Sequence, residues 1–325
     1  MNLLLAPMAT ITHEPLRRLI AEFGGVDEYY TEMIHAPSLI HDGPFEKYYL
    51  LTSPEPEKIV WQLTGGKEGP LVEAAKIVCE RGGIGVDINM GCAALDIFNQ
   101  GAGCAWMFKD FSEIRSMLSK VYRVIQNTSC NRLSVKMRLG GEDFTEESLF
   151  AFADMLIEEG VSQIVLHPRT RKEKFRRSAR WEYVEQLKRH VQEKFGNEIK
   201  IIGNGDVSSV SKIHDYSKKY SLADGIMIGR GALQMPWIFA EAKGILFENP
   251  IDLYGVAERF FQYLQEGQPE EFYLSRLQRF FAGFCDNFSF AHHIKTTILR
   301  EKTGDAMLQR LAEYFEQVPQ DRFKK

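Results

Sequence analysis

Residues able to transfer protons or bind anions occur at the ends of short apolar segments in this sequence. Cys92 directly follows the segment 85–91 (GVDINMG), and Lys136 alternates with the apolar residues of 132–138 (RLSVKMR). A cysteine thiol can take part in acid–base chemistry. A lysine in an alternating apolar pattern is costly to bury unless an anion lies beside it. Lys136 therefore predicts either a neighbouring carboxylate or a bound anion or electron-rich cofactor.

The same placement recurs along the chain. Polar or turn-forming residues also end other apolar segments: Ala6-Pro7-Met8, Gln62, Asn89, Arg138, His167, Arg169, Asn204-Gly205-Asp206 and Gly229-Arg230-Gly231. Each has a structural interpretation when taken singly, and an isolated histidine such as His167 is more often structural than catalytic. Because independent accidents would not all fall at the same end of seven segments, we predict that these residues meet in one site.

The elements that position these residues form a repeating pattern. Eight β-strand patterns lie at 2–8, 27–33, 57–64, 85–91, 132–138, 163–168, 200–204 and 224–228, separated by helical patterns such as 70–82, 111–126 and 145–160. Strands that alternate with helices predict parallel βαβ units. Eight units in roughly 240 residues fit an α/β fold of the (β/α)8 TIM-barrel type, whose active sites lie at the C-terminal ends of the strands. A doubly wound open sheet is the alternative, disfavoured because no G-x-G-x-x-G turn follows the first strand.

From about residue 244 the sequence changes character. Segments 252–266, 269–287 and 304–317 have helical periodicity and many aromatic residues, and no strand pattern is evident. We therefore expect a catalytic barrel domain over 1–243 and a small all-helical domain over 244–325.

Composition restricts the cellular setting. The chain has 325 residues, a net charge of −4 and five cysteines, which show no CxxC pair and no metal-ligand spacing. No apolar run approaches the ~20 residues of a membrane span, and the N-terminus lacks the features of a signal peptide. We expect a cytoplasmic protein with reduced thiols, no metal and no membrane association. A monomer is compatible with these features.

One segment departs from the acidic balance of the chain. Residues 169–180 (RTRKEKFRRSAR) carry seven basic side chains and the single acid Glu173. Such a segment is either a solvated loop or a surface that binds a polyanion.

The glycine-flanked turns after the last two strand patterns indicate a phosphate site. Asn204-Gly205-Asp206 and Gly229-Arg230-Gly231 place backbone N–H groups where barrels of this type bind phosphate. Arg230 can add charge-assisted bonds, so a ligand such as FMN fits. Ala6-Pro7-Met8 suits the flat face of a flavin ring, and Gln62, Asn89 and Lys136 could bond its polar edge.

These segments together resemble the tRNA-dihydrouridine synthases. The similarity rests on APM at 6–8, QLTG at 62–65, DINMGC at 87–92, VKMRLG at 135–140, LHPRTR at 166–171, IIGNGDV at 201–207 and MIGRGAL at 227–233, which follow the family's order and spacing. The resemblance implies an FMN-containing oxidoreductase that uses NADPH to reduce uridine in tRNA to 5,6-dihydrouridine. Cys92 would then protonate C5 of the uracil while hydride from flavin N5 reaches C6.

The resemblance also implies roles for individual residues. The FMN contacts would be Ala6, Pro7, Met8, Gln62, Lys136, His167, Asn204, Gly205, Asp206, Gly229 and Arg230. The residues facing the substrate or the tRNA would be Asn89, Arg138, Arg169, Arg171, Lys172 and Lys174. The chain departs from the family after the cysteine, where 93–96 reads AALD instead of carrying the usual proline and nearby lysine.

Two alternatives remain at this point. A flavin barrel could act on a free pyrimidine or dihydroorotate with the same cysteine chemistry, although neither the basic segment nor the helical region is needed for a small substrate. A tRNA-binding barrel whose chemistry has decayed is the non-enzymatic alternative, suggested by the altered segment 93–96.

Overall fold

Parallel strands close into a barrel in the computed structural model of the chain, which describes residues 1–174 and 176–324. Phe175, within the basic segment, and the terminal Lys325 lie outside the described residues. The strands of the wall are β1 (Asn2–Leu5), β2 (Glu28–Tyr30), β3 (Ile34–His35), β4 (Ile59–Thr64), β5 (Gly85–Met90), β6 (Arg132–Met137), β7 (Val161–Leu166), β8 (Lys200–Asn204) and β9 (Gly225–Ile228).

The order of the strands closes the ring. β1 pairs with β2 and with β9, β2 pairs with β4, and β4 to β9 pair in sequence, all in parallel. β3 pairs with the end of β4 and continues the position of β2 after a break at 31–33. Eight strand positions therefore form the predicted TIM barrel, and the open doubly wound sheet is excluded.

Alternation along the strands sorts side chains between two cores. In β6, Leu133, Val135 and Met137 are fully buried beneath the helices, whereas Ser134 and Lys136 have the opposite orientation. A second, smaller apolar cluster fills the barrel interior: Leu4, Ala6, Tyr30, Val60, Val165, Ile202 and Met227. Lys136 thus belongs to the inward-facing set, as its alternation predicts.

Helices surround the barrel and follow it in the chain. They are α1 (Glu14–Phe23), α2 (Ala36–Ile40), α3 (Glu46–Tyr49), α4 (Glu68–Cys79), α5 (Leu95–Asn99), α6 (Phe111–Ile125), α7 (Glu146–Glu158), α8 (Glu182–Phe195), α9 (Val210–Lys219), α10 (Arg230–Gln234), α11 (Ile238–Ala242), α12 (Leu253–Gly267), α13 (Glu270–Phe284), α14 (Ala291–Ile298) and α15 (Gly304–Gln317). Short 3-10 helices lie at Pro56–Lys58, Gly103–Phe108, Cys285–Asn287 and Pro319–Asp321. Among the described residues, no helix has both the length and the apolar character needed to cross a lipid bilayer.

The C-terminal region is helical, as predicted, with one addition. β10 (Ile251–Asp252) pairs antiparallel with β11 (Phe323–Lys324) and joins the end of the described chain to the start of α12. Two-residue strands are too short to show an alternating pattern, so this pair could not be predicted from local periodicity. The apolar core is continuous between the barrel helices and α12–α15. The boundary between 243 and 244 therefore remains a prediction.

A buried ion pair connects this region to the barrel. Arg276 of α13 lies 3.4 Å from the Glu32 carboxylate, and both side chains are almost completely buried. Glu32 also accepts a hydrogen bond from the backbone N–H of Thr10, at 2.6 Å. The carboxylate thus fixes α13 and the loop after β1 relative to each other, at the end of the barrel where the strands terminate.

Candidate active site

A cavity of about 1020 Å³ opens at the C-terminal ends of the strands. Fifteen of the residues predicted to form a site line it: Ala6, Pro7, Met8, Gln62, Asn89, Cys92, Lys136, Arg138, His167, Arg169, Asn204, Gly205, Asp206, Gly229 and Arg230. The predicted convergence of these strand ends is therefore present in the structure.

Three predicted residues of the basic segment lie outside that cavity. Arg171 and Lys172 line a second, smaller cavity of about 340 Å³ together with Phe98 and Phe108. Lys174 is exposed and has a positive φ of 48°. These side chains lie beside the main cavity and are not part of its wall.

Cys92 is the thiol that the main cavity contains. It is half-buried, whereas the other four cysteines are buried elsewhere. The Cys92 N–H donates to Asn89 Oδ1 at 2.9 Å, and the Cys92 carbonyl accepts from the Cys104 N–H at 2.9 Å. Gly103, with φ of 59°, passes so close that a Cβ there would lie 2.7 Å from the Cys92 carbonyl oxygen. The backbone of Cys92 is thus held from both sides.

A chain of buried hydrogen bonds orients Asn89. Asp87 Oδ2 accepts from Gln62 Nε2 at 2.7 Å, and Gln62 Oε1 accepts from Asn89 Nδ2 at 2.9 Å. Because an ionised carboxylate only accepts, Asp87 fixes both amides and leaves Asn89 Oδ1 for the Cys92 N–H. Burial raises the pKa of Asp87 to about 6, even though Gln62 and Ser134 stabilise its charged form.

The role of Asp87 was not predicted from the sequence. This aspartate begins the segment DINMGC, two residues before Asn89. The spacing was an available signal, since residues i and i+2 of a strand share a face.

Lys136 lies half-buried in the cavity wall, and it donates a hydrogen bond to a neutral side chain. Nζ donates to Asn204 Oδ1 at 3.0 Å, and Asn204 Nδ2 donates to the Met227 carbonyl at 2.8 Å. Among the described residues, no carboxylate lies within 4.0 Å of this ammonium group. Its deep setting, together with the nearby positive charge of Arg138, lowers the pKa of Lys136 to about 8. The described residues therefore do not provide the carboxylate partner of the first alternative. The second alternative, a bound anion or an electron-rich cofactor beside Lys136, remains.

Arg169 is placed differently from the other basic residues of its segment. It is 2% exposed and forms two 2.7 Å bonds to the carboxylate of Asp206 and a 2.9 Å contact with His167 Nε2. Although burial opposes ionisation, this pairing with Arg169 keeps the pKa of Asp206 below its ordinary value. Burial, with Lys136 and Arg138 nearby, holds the pKa of His167 far below its ordinary value, so the imidazole is neutral. The interpretation of Arg169 as a surface contact for tRNA does not fit this location.

Two glycine-containing loops approach each other on one side of the cavity. Gly205 and Asp206 both have positive φ values, of 120° and 59°. At Gly231, a Cβ would lie 2.7 Å from the Val207 carbonyl oxygen. Only glycine permits this approach, which brings the backbones after β8 and β9 together.

The cavity also includes residues for which no individual role was predicted. Arg176 and Arg177 bring the basic segment to the rim, and Arg279, Gly283 and Asp286 come from α13 and the turn after it. Helical periodicity predicts that 269–287 is a helix but not where it packs. Its position over the barrel mouth depends on long-range contacts such as Glu32–Arg276.

Comparison with known proteins places this architecture in one family. The sequence profile of the dihydrouridine synthases (Dus) matches residues 4–317. A probable tRNA-dihydrouridine synthase of Helicobacter pylori is 33% identical over 243 residues, covering 74% of this chain and 70% of the relative. One of Rickettsia bellii is 29% identical over 242 residues, with shares of 74% and 70%.

A fungal relative is much longer than this chain. The tRNA-dihydrouridine(47) synthase [NAD(P)(+)] of Cryptococcus neoformans is 31% identical over 249 residues, which cover 74% of this chain but only 33% of that protein. The family profile, which matches residues 4–317, includes both the barrel strands and helices α12–α15. The chain therefore belongs to the dihydrouridine synthase family, and the expectation of a flavin-dependent oxidoreductase that reduces uridine in tRNA is confirmed.

Proposed function

We propose that the main cavity holds FMN and a turned-out uridine of tRNA side by side, with Cys92 as the proton donor. The observation that carries this proposal is Lys136, a half-buried cation without a carboxylate partner among the described residues, in the same cavity as an accessible thiol. The most direct test is to incubate the protein with FMN, NADPH and an unmodified tRNA transcript and to measure dihydrouridine by mass spectrometry of nucleosides.

The residues present fit FMN. Lys136 supplies the cation that would bond the polar edge of the ring, and Gln62 lines the same cavity. The loops at Gly205–Asp206 and Gly229–Gly231 provide backbone N–H groups and Arg230 for the phosphate. Ala6 to Met8 offer a small, rigid apolar surface for the ring face. Bound FMN, once reduced by NADPH, supplies the hydride that reaches C6 of the uracil.

Cys92 completes the reduction at the neighbouring carbon. Addition of hydride to C6 places negative charge on C5 and on the C4 carbonyl, so a positioned acid at C5 is required. The S–H bond of Cys92 breaks as the C5–H bond forms, and the thiolate then regains a proton from water. Asn89 holds the Cys92 backbone through the 2.9 Å bond to its N–H. Because a stacked base cannot enter the cavity, the uridine must turn out of the RNA.

Arg138 and Arg169 act as positioning residues in this scheme. Arg138 Nε donates to the Gly91 carbonyl at 2.8 Å, so it supports the turn that carries Cys92. Arg169 orients Asp206 and contacts His167, which shapes the side of the cavity where the phosphate would bind.

The exposed basic residues after Arg169 form the tRNA-binding surface. Lys174, Arg176 and Arg177 are exposed, and the two arginines also line the cavity rim. We expect Lys174→Glu combined with Arg176→Glu to weaken tRNA binding by about tenfold or more at low salt, because contacts to phosphates are lost. Titration over a range of salt concentrations should show a slope of log Kd against log salt that is smaller by about 2.

A matched control is available at the opposite end of the barrel. Lys218 is exposed near the end of α9, which runs back from the end of β8 toward the start of β9, and Lys218→Glu should leave the affinity and the salt slope unchanged. A loss of affinity with an unchanged salt slope in the double variant would contradict a phosphate contact.

The small-substrate alternative makes a distinct prediction. If the cavity served a free pyrimidine, FMN-loaded protein would oxidise NADPH faster with uracil than with tRNA, or would oxidise dihydroorotate. The proposal requires turnover with tRNA and negligible turnover with either small molecule.

A further inference from the structure

The second cavity lies beside the active site and is lined by aromatic and charged side chains. We call it the aromatic cleft and define it by Phe98, Phe108, Arg171 and the loop 141–143. The Arg171 guanidinium lies 4.0 Å from the centre of the Phe98 ring, and Phe98 meets Phe108 edge to face with ring centres 5.8 Å apart. The volume is about 340 Å³. The cleft thus presents π surfaces and a planar cation side by side.

Large apolar side chains in and beside the cleft are exposed to solvent. Phe108 is 52% exposed, and Leu95, in the helix that carries Phe98, is 64% exposed. Large exposed apolar side chains grouped together mark binding surfaces more often than isolated ones do. The altered segment 93–96 includes the first residues of this helix, so the departure from the family pattern lies in the element that carries Phe98.

The cleft is continuous with the active site through the chain. Its walls follow the strands that carry Cys92, Arg138 and Arg169, and the Arg171 N–H donates to the Gly140 carbonyl at 2.9 Å. This bond joins the loops after β6 and β7. If one nucleotide of an RNA chain occupied the main cavity, a nearby nucleotide of the same chain would therefore lie at the cleft.

We propose that the aromatic cleft binds an unpaired nucleobase of the RNA close to the uridine being reduced; this rests on the proposed function. Bases stack on aromatic rings and on guanidinium planes in single-stranded RNA. Phe108 and Arg171 supply both surfaces, and Lys172 at the rim can meet the RNA backbone. A small uncharged ligand would not need the cation at this position.

The loop 141–143 selects among bases. Glu142 and Asp143 line the cleft, and their carboxylates can only accept hydrogen bonds. Adenine, guanine and cytosine carry an exocyclic amino group that can donate to them, whereas the only base-edge N–H of uracil, at N3, is flanked by two carbonyl oxygens that a carboxylate repels. Lys172 forms an ion pair with Glu142, and its positive charge reduces the repulsion between the Glu142 carboxylate and the RNA backbone. The cleft therefore favours a base with an amino group over uracil.

The first test compares variants of Phe108. Phe108→Leu should raise the KM for tRNA by about tenfold with a smaller effect on kcat, since base stacking on an aromatic ring is lost. Phe108→Tyr keeps the ring and should keep the KM. Phe323→Leu is the matched control, because Phe323 is also 52% exposed but lines neither cavity. An unchanged KM in Phe108→Leu, or an equal rise in Phe323→Leu, would overturn the proposal.

The second test removes the base from the RNA. Transcripts with a single abasic nucleotide at each position flanking the modified uridine are assayed with the original protein and with Phe108→Leu. At one position the loss of the base should raise the KM of the original protein by about tenfold and abolish the difference between the two proteins. If the difference persists with every abasic transcript, the cleft does not bind a base. Absence of dihydrouridine with the original protein and unmodified tRNA would instead overturn the proposed function.

Discussion

Replacing Cys92 with alanine is expected to lower the rate of dihydrouridine formation by about two to four orders of magnitude, the range that a positioned general acid contributes. Cys92 is half-buried in the main cavity, and its backbone is held by Asn89 and Cys104. Without the thiol, the charge that develops on C5 has no positioned proton. The measurement is a single turnover of reduced, FMN-loaded protein with tRNA, followed by quantification of dihydrouridine.

The flavin itself should be unaffected by this change. In the proposed mechanism the thiol takes no part in reduction of the flavin, so Cys92→Ala should keep the FMN content and the rate of flavin reduction by NADPH. Cys79→Ala is the control for loss of a thiol, since Cys79 ends α4 and lies outside both cavities. A Cys92→Ala protein with full activity on tRNA would refute the role of Cys92 as proton donor.

The parts of this site that could be predicted from sequence depend on local periodicity. The alternation of Lys136 with three apolar residues fixed its orientation toward the barrel interior, and the strand count placed Cys92 at the mouth. The orientation of Lys136 follows from the two-residue period of a strand, and the position of Cys92 follows from its place directly after a barrel strand. Eight parallel strands that alternate with helices can close in few ways, so the barrel fold could also be predicted from the sequence.

The parts that could not be predicted depend on contacts between distant segments. Arg169 and Asp206 are 37 residues apart, and only the pairing of β7 with β8 brings their loops together. The basic character of 169–180 suggested that all its cations reach solvent, whereas Arg169 is buried by this partner. Arg276 and Glu32 are 244 residues apart, so the packing of α13 over the cavity could not be predicted from local sequence patterns.

Replacing Lys136 with methionine is expected to have opposite effects on flavin affinity and on the stability of the flavin-free protein. The ammonium group has Asn204 as its hydrogen-bond partner and no carboxylate within 4.0 Å among the described residues. Loss of a charge-assisted bond should weaken FMN binding by about tenfold to a hundredfold. Removal of a poorly solvated charge should at the same time raise the free energy of unfolding of the flavin-free protein by up to about 3 kcal/mol at pH 7.

The pH dependence has a definite sign. The pKa of Lys136 is about 8 in the folded protein against the ordinary 10.5, so the unfolded chain binds this proton more tightly. Below pH 8 the charged lysine therefore destabilises the fold, and the free energy of unfolding rises as pH increases from about 8 to about 10.5. The stability advantage of Lys136→Met should accordingly shrink over this range. Urea unfolding of both flavin-free proteins at several pH values measures the difference.

Lys188 provides the matched comparison, because it is a buried lysine that has the partner Lys136 lacks. Its Nζ lies 2.9 Å from the Asp224 carboxylate and donates to the Ile199 carbonyl at 2.9 Å, and it does not line the main cavity. Lys188→Met leaves Asp224 without its cation, so it should destabilise the protein and leave the affinity for FMN unchanged. If Lys136→Met also destabilised the flavin-free protein, or bound FMN as tightly as the original chain, Lys136 would be a structural cation and the flavin would have to be held by other residues.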